Sequence, residues 1–156
     1  MTAPNVGNPT HPAVTNQLRL PRTAALGPGR GGQQRLLIDA PAGAAEIYLH
    51  GATVNSWVPR GGSEGIFTSR QAVFDGATAI RGGIPLCLPE FGVGINGDAV
   101  PKHGWARIAP WRLLTVTSTD GGGVRALLSV SRDRLTALYE VEVGKTPRRA
   151  LSGGRD

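Results

Sequence analysis

Cysteine is nearly missing: Cys87 is the single one in 156 residues. One thiol closes no disulfide framework within the chain. It fits a small buried core thiol of an intracellular protein better than a nucleophile. No run of about 18 apolar residues is present, which excludes a transmembrane helix. The N-terminus lacks the basic-then-apolar order of a signal peptide. The expected compartment is therefore the cytoplasm. The sequence has no HxH, HExxH or CxxC spacing, so neither a metal site nor a cofactor is expected. It has no G-x-S-x-G nucleophile elbow. The GRGG at Gly29–Gly32 lacks the strand–turn–helix context of a phosphate-binding fingerprint.

Acids are few. Seventeen Lys and Arg face eleven Asp and Glu, for a net charge of +6. Such a balance can signal nucleic acid or another anionic partner. No dense basic run interleaved with aromatics occurs. The nearest approach is Lys145, Arg148 and Arg149. Most arginines therefore read as scattered surface charges, and neither a nucleic acid nor a membrane partner is expected.

Glycine and proline, by contrast, make up more than a fifth of the chain. That composition favours turns and short strands over helices. Residues 1–34 carry Pro, Gly, Asn and Thr without usable periodicity and read as a flexible lead-in. Strand patterns begin at Arg35. RLLIDA (Arg35–Ala40) is a short apolar strand, and Ala45–Val58 alternates apolar and polar with a break at Gly51. A glycine there suggests a bulge or bend. Ile66-Phe67 reads as a short strand. Pro110–Ser118 and Val124–Ser131 flank the turn DGGG and predict a hairpin. Leu135–Val143 is a last strand. Residues 144–156 show no strand or helix pattern. The class is all-β: an antiparallel β-sandwich over 35–143.

Between the strand blocks, residues 68–107 hold some forty Gly-, Pro- and polar-rich positions. Embedded apolar groups such as Phe74, Ile80, Leu86 and Trp105 argue against disorder. A long loop of this kind in a compact domain is usually functional. Two pieces of it carry chemistry. In AIRGGIPLCLPEFG (Ala79–Gly92), Arg81 precedes two glycines, which permit positive φ and close backbone approach to a ligand. Pro85 and Pro89 stiffen the segment. A guanidinium binds phosphate or carboxylate in bidentate fashion. The alternative is a structural ion pair of Arg81 with Asp75 or Glu90. In PKHGWAR (Pro101–Arg107), His103 sits among Lys102, Gly104 and Arg107. It is either a partner for a sugar hydroxyl or a packed ring satisfied by backbone. His50, beside a glycine on a strand, reads as half exposed and bland.

The ordered set HGATVNSW (His50–Trp57), IFTS (Ile66–Ser69), AVFDGATAIRGGIPLCLPEFG (Ala72–Gly92), HGWAR (His103–Arg107) and PW (Pro110-Trp111) resembles the D-hexose-6-phosphate mutarotases. These are glucose-6-phosphate 1-epimerases of the aldose 1-epimerase, galactose-mutarotase-like superfamily. The resemblance covers roughly residues 35–143 and implies the N-terminal half of a large two-sheet supersandwich. It implies that Arg81 contacts the sugar phosphate with Arg107 as companion, that Lys102 contacts substrate, and that His103 lines the sugar pocket. The implied partner is a hexose 6-phosphate, with its α and β anomers interconverted. Ring opening needs an acid at the ring oxygen and a base at the C1 hydroxyl. In the family a histidine and a glutamate downstream of HG-x-AR take those roles. This sequence has no histidine after His103. It is expected to carry the binding half of the site without its acid–base pair, and its last residues read as a truncated end. The other reading is a non-catalytic phosphosugar-binding fragment. The sequence leaves the oligomeric state open.

Overall fold

The computed structural model of the chain describes residues 18–144. The first half of the expected lead-in and the Lys145–Arg148–Arg149 cluster lie outside the described residues. Two antiparallel sheets are present. The first is a meander of β1 (Ala24–Pro28), β2 (Gln34–Ala40), β3 (Gly43–Tyr48) and β4 (Thr53–Pro59). The second is β5 (Arg112–Ser118), β6 (Val124–Arg132) and β7 (Leu135–Val143).

Period-two alternation builds the core. Leu36, Ile38 and Ala40 of β2 point inward, while Leu37 and Asp39 between them do not. In register with them, Ile47 pairs with Leu36 and Ala45 with Ile38. Val124, Ala126, Leu128 and Val130 of β6 are likewise buried. Side chains of both sheets join in one apolar cluster, as a sandwich requires. Each large aliphatic side chain buried this way stabilises the fold by about 1.5–3 kcal/mol. The β5–β6 hairpin closes on 119–123 and matches the sequence expectation.

Residues 60–111 contain no named strand. Two isolated bridges tie them to the sandwich, His50 to Pro110 and Val54 to Ile84, and a third, Thr68 to Gly82, ties the segment to itself. Trp111 pins the end of the segment: its Nε1–H donates to the Ala106 carbonyl at 2.8 Å, and its ring lies edge-on to Tyr139. A small second cluster of Tyr48, Ala72, Phe74 and Ile80 holds the segment's beginning.

Three sequence expectations need correction, and one alternative is decided. The lead-in hides β1, whose residues alternate only weakly between half-buried and exposed; pairing with β2 makes the strand. Ile66-Phe67 forms no strand, and only Thr68 makes a bridge. Of the bulge or bend expected at Gly51 the chain has the bend: Gly51 marks the β3–β4 turn, with φ of 71° at Gly51 and 47° at Ala52, and a bulge lies at Glu46/Ile47. His50 is buried, only 6 % exposed, because the turn folds it under Thr78 and Pro110.

The second sheet is open on one side. Among the described residues β7 pairs only with β6, and its Leu138 is largely exposed. Loop residues Ile95 (96 % exposed) and Val100 (93 %) are also bare. No described helix is long and apolar enough to cross a membrane.

Candidate functional site

The Arg-Gly-Gly backbone is shaped by its own protein. Gly82 and Gly83 have φ of 112° and 70°. A Cβ on Gly83 would lie 2.7 Å from the Val54 carbonyl oxygen, and one on Gly82 would lie 2.6 Å from the Phe67 carbonyl oxygen. The bare glycines let this loop add to β4 and to residues 67–69. The Gly83 N–H donates to the Phe67 carbonyl at 2.9 Å, Ile84 N–H to Val54 at 2.9 Å, and Ser69 N–H to Arg81 at 3.0 Å. The expectation that they free backbone for a ligand is thus replaced by close packing on β4. The consequence is the same: Arg81 leaves a fixed backbone with its side chain exposed.

Arg81 has no carboxylate in ion-pair range among the described residues. The pairs there are Arg35 with Glu46, Arg60 with Asp39, and Arg125 with Glu140 and Glu142. The two acids that might have neutralised Arg81 are elsewhere. Glu90 folds over Gly94. Asp75 accepts from the Thr78 N–H (2.6 Å), the Ala77 N–H (2.8 Å) and the Thr78 hydroxyl (2.7 Å). Those bonds, led by the Thr78 and Ala77 amides, favour the ionised carboxylate and pull its pKa down to about 2.

Arg107 follows His103-Gly104-Trp105-Ala106 in a short 3-10 turn, Ala106–Ile108. Its Nη2 donates to the Lys102 carbonyl at 2.8 Å. Its Nε is buried without a hydrogen-bond partner. Thr23 Oγ1, Arg35 Nε and Asn55 Oδ1 share that state, so the atom alone marks no ligand. Arg81 and Arg107 line one cleft of about 450 Å³ with Gln71, Val73, Thr78 and Ile80. Arginines that line one concavity can hold an anion through charge-assisted, forked hydrogen bonds. A second concavity of about 400 Å³, beside Thr117, Asp120 and Arg125, differs in charge. Its arginine is already paired with Glu142 and Glu140.

Lys102 and His103 adjoin the cleft through Arg107 but do not line it. Lys102 is exposed and contributes its carbonyl to Arg107. His103 has φ of 68° and clasps the preceding loop. Its N–H donates to the Gly92 carbonyl at 2.6 Å, and its Nδ1 accepts from the Gly92 N–H at 3.1 Å. The proton of the neutral ring therefore sits on Nε2. Phe91 packs edge-on at 4.9 Å. Desolvation first, then the charges of Arg107 and Lys102, hold the ring's pKa below the ordinary histidine value. Of the two readings of His103, the packed one describes its Nδ1 face. Cys87 is only partly buried, not the buried core thiol expected.

Gln71 lines the cleft yet carried no motif signal, and Thr78, inside the Ala72–Gly92 motif, was not singled out. His50 was visible within HGATVNSW, but nothing in its neighbours hinted that its ring would meet Thr78.

Comparison with known proteins bears on the family and the fold. The family model for aldose 1-epimerase matches residues 34–144. A Salmonella typhimurium protein named "Putative glucose-6-phosphate 1-epimerase" is 37% identical over 119 residues, 71% of this chain and 40% of that protein. Its namesake from Escherichia coli K12 is 33% identical over 120 residues, with the same coverage of each. A Cenchrus ciliaris protein of the same name is 48% identical over 69 residues, 44% of this chain and 20% of that one. The crystal structure of a "putative mutarotase (YeaD)" from Salmonella typhimurium superposes with a TM-score of 0.72 at 28% identity, covering 81% of this chain and 45% of that one. The chain thus spans about 40% of the length of the bacterial relatives it matches. Matched along most of its described residues in sequence and in fold, the chain belongs to the aldose 1-epimerase family.

Proposed function

We propose that the Arg81–Arg107 cleft binds the phosphate of a hexose 6-phosphate, and that the chain supplies the anion-binding part of a glucose-6-phosphate 1-epimerase in the cytoplasm. The observation that carries this reading is the cleft itself: it is lined by two arginines without carboxylate partners among the described residues. The names of the relatives supply the substrate class.

Held by its phosphate, the sugar would extend from the arginines with C1 at its far end. Anomerisation then breaks the bond between C1 and the ring oxygen and reforms it on the other face. A base takes the C1 hydroxyl proton while an acid protonates the ring oxygen. None of the residues lining the cleft is a carboxylate or a histidine. Lys102 stands beside the anchor, and His103, kept largely neutral at pH 7, would orient a hydroxyl through Nε2–H. The same observation favours the second reading, a phosphosugar-binding piece that carries no chemistry alone.

Titration calorimetry with glucose 6-phosphate and with glucose tests the proposal. Loss of one charged hydrogen-bonding group costs about 1.5–3 kcal/mol, roughly 10- to 150-fold in affinity. Arg81→Ala should show that loss toward glucose 6-phosphate, and glucose should bind neither protein measurably. Equal affinity of wild type and Arg81→Ala would remove the assignment.

A further inference from the structure

The two arginines come from loop segments 26 positions apart, and one short turn touches both. We propose that His50, at the β3–β4 turn, is a positioning residue that sets the spacing between Arg81 and Arg107. The inference rests on the anion-site reading above and names what holds that site in shape.

The side chain of His50 reaches one segment. Its Nε2 lies 2.9 Å from the Thr78 carbonyl oxygen. A carbonyl only accepts, so Nε2 carries the proton and donates. Thr78 lines the cleft three residues before Arg81. Three hydrogen bonds to Asp75 make residues 75–78 a closed turn. Fixing one carbonyl of such a turn fixes its whole orientation. Ile80, next to Arg81, is buried against Tyr48, two residues before His50.

The backbone around His50 reaches the other segment. Gly51 N–H donates to the Ala109 carbonyl at 2.8 Å, and Trp111 N–H donates to the Leu49 carbonyl at 2.8 Å. His50 itself bridges Pro110. Gly51 has no Cβ where one would collide with the Arg107 carbonyl oxygen. Residues 49–51 thus hold the Arg107 segment by main chain while the His50 ring holds the Arg81 segment by side chain. The His50 residue is buried, with 6 % exposure, and its bond to the exposed Thr78 is part-buried.

The test uses the full chain and two variants. His50→Phe keeps a buried ring and removes the donor. His50→Gln offers an amide N–H to the same carbonyl. Amide hydrogen exchange reads the tie without any ligand, and calorimetry with inorganic phosphate and with glucose 6-phosphate reads the site. In His50→Phe, exchange at Ser69, Ala77 and Thr78 should quicken at least about tenfold while Leu128 in β6 stays protected, and both ligands should bind about tenfold more weakly. His50→Gln should restore both readouts. Unchanged exchange in His50→Phe would overturn the tie. Faster exchange with undiminished affinity, while Arg81→Ala still weakens binding, would overturn the positioning role. If Arg81→Ala leaves affinity untouched, the anion-site reading falls and exchange alone decides whether His50 holds the segment.

Discussion

Gly51 offers a clean measure of how closely the Arg107 segment must approach the β3–β4 turn. Its φ is 71°, and Gly61 matches it at 76°. A Cβ at Gly61 would meet nothing within 4 Å, whereas one at Gly51 would overlap the Arg107 carbonyl oxygen and lie 2.9 Å from Thr53 Oγ1. Alanine at either position bears the left-handed backbone cost of about 1–2 kcal/mol. Only Gly51→Ala must also push a backbone carbonyl aside. Forced repacking of that kind costs about 1–3 kcal/mol more. Gly61→Ala should therefore lower stability by about 1–2 kcal/mol and Gly51→Ala by about 2–5 kcal/mol. Urea denaturation followed by far-ultraviolet circular dichroism reads both. Gly51→Ala should also weaken glucose 6-phosphate binding, since the displaced carbonyl belongs to Arg107. Equal destabilisation of the two variants, with affinity intact, would refute the claimed contact.

Other outcomes follow from the same structure. Leu128 is fully buried at the centre of β6, so Leu128→Ala should cost about 2–5 kcal/mol, read as a lowered denaturation midpoint. A loss below about 1 kcal/mol would mean the two sheets do not share this core. His103 should titrate below the ordinary value of 6.5 in a proton NMR titration. Its folded-state pKa is lowered, so its stabilising contribution is complete above about 6.5 and is lost as pH falls through the folded value. A titration at or above 6.5 would contradict the described environment. In a coupled assay the isolated chain should not accelerate anomerisation of glucose 6-phosphate measurably, because the cleft is lined by no carboxylate or histidine. Turnover at ordinary enzymatic rates would show that an acid–base pair has been overlooked.

The sequence announced what depends on local pattern. The strands read at Arg35–Ala40 and Val124–Ser131 became β2 and β6, and the DGGG turn joined β5 to β6. Arg81 and Arg107 were visible because their glycine- and histidine-bearing motifs are unusual. Long-range pairing stayed hidden. β1 has little alternation of its own and exists through its ladder with β2. The partner of Arg81 could not be chosen from spacing: Asp75 lies close in sequence, yet its oxygens turn back to the amides of Ala77 and Thr78. His50 appeared bland because its value lies in a contact 28 residues away. Lys102 and His103, neighbours of Arg107 in sequence, adjoin the cleft without lining it: the Lys102 carbonyl holds Arg107 and the His103 ring accepts from Gly92.

The central claim is that Arg81 and Arg107 hold one phosphate together. A double-mutant cycle measures that directly, with glucose 6-phosphate affinities for wild type, Arg81→Ala, Arg107→Ala and the double variant. Groups sharing one ligand couple by about 0.5–3 kcal/mol, whereas independent ones add. Each single change should weaken binding at least about tenfold, and the double variant should lose clearly less than the product of the two. Strictly multiplicative losses, or an Arg107→Ala variant that binds like wild type, would contradict a shared site.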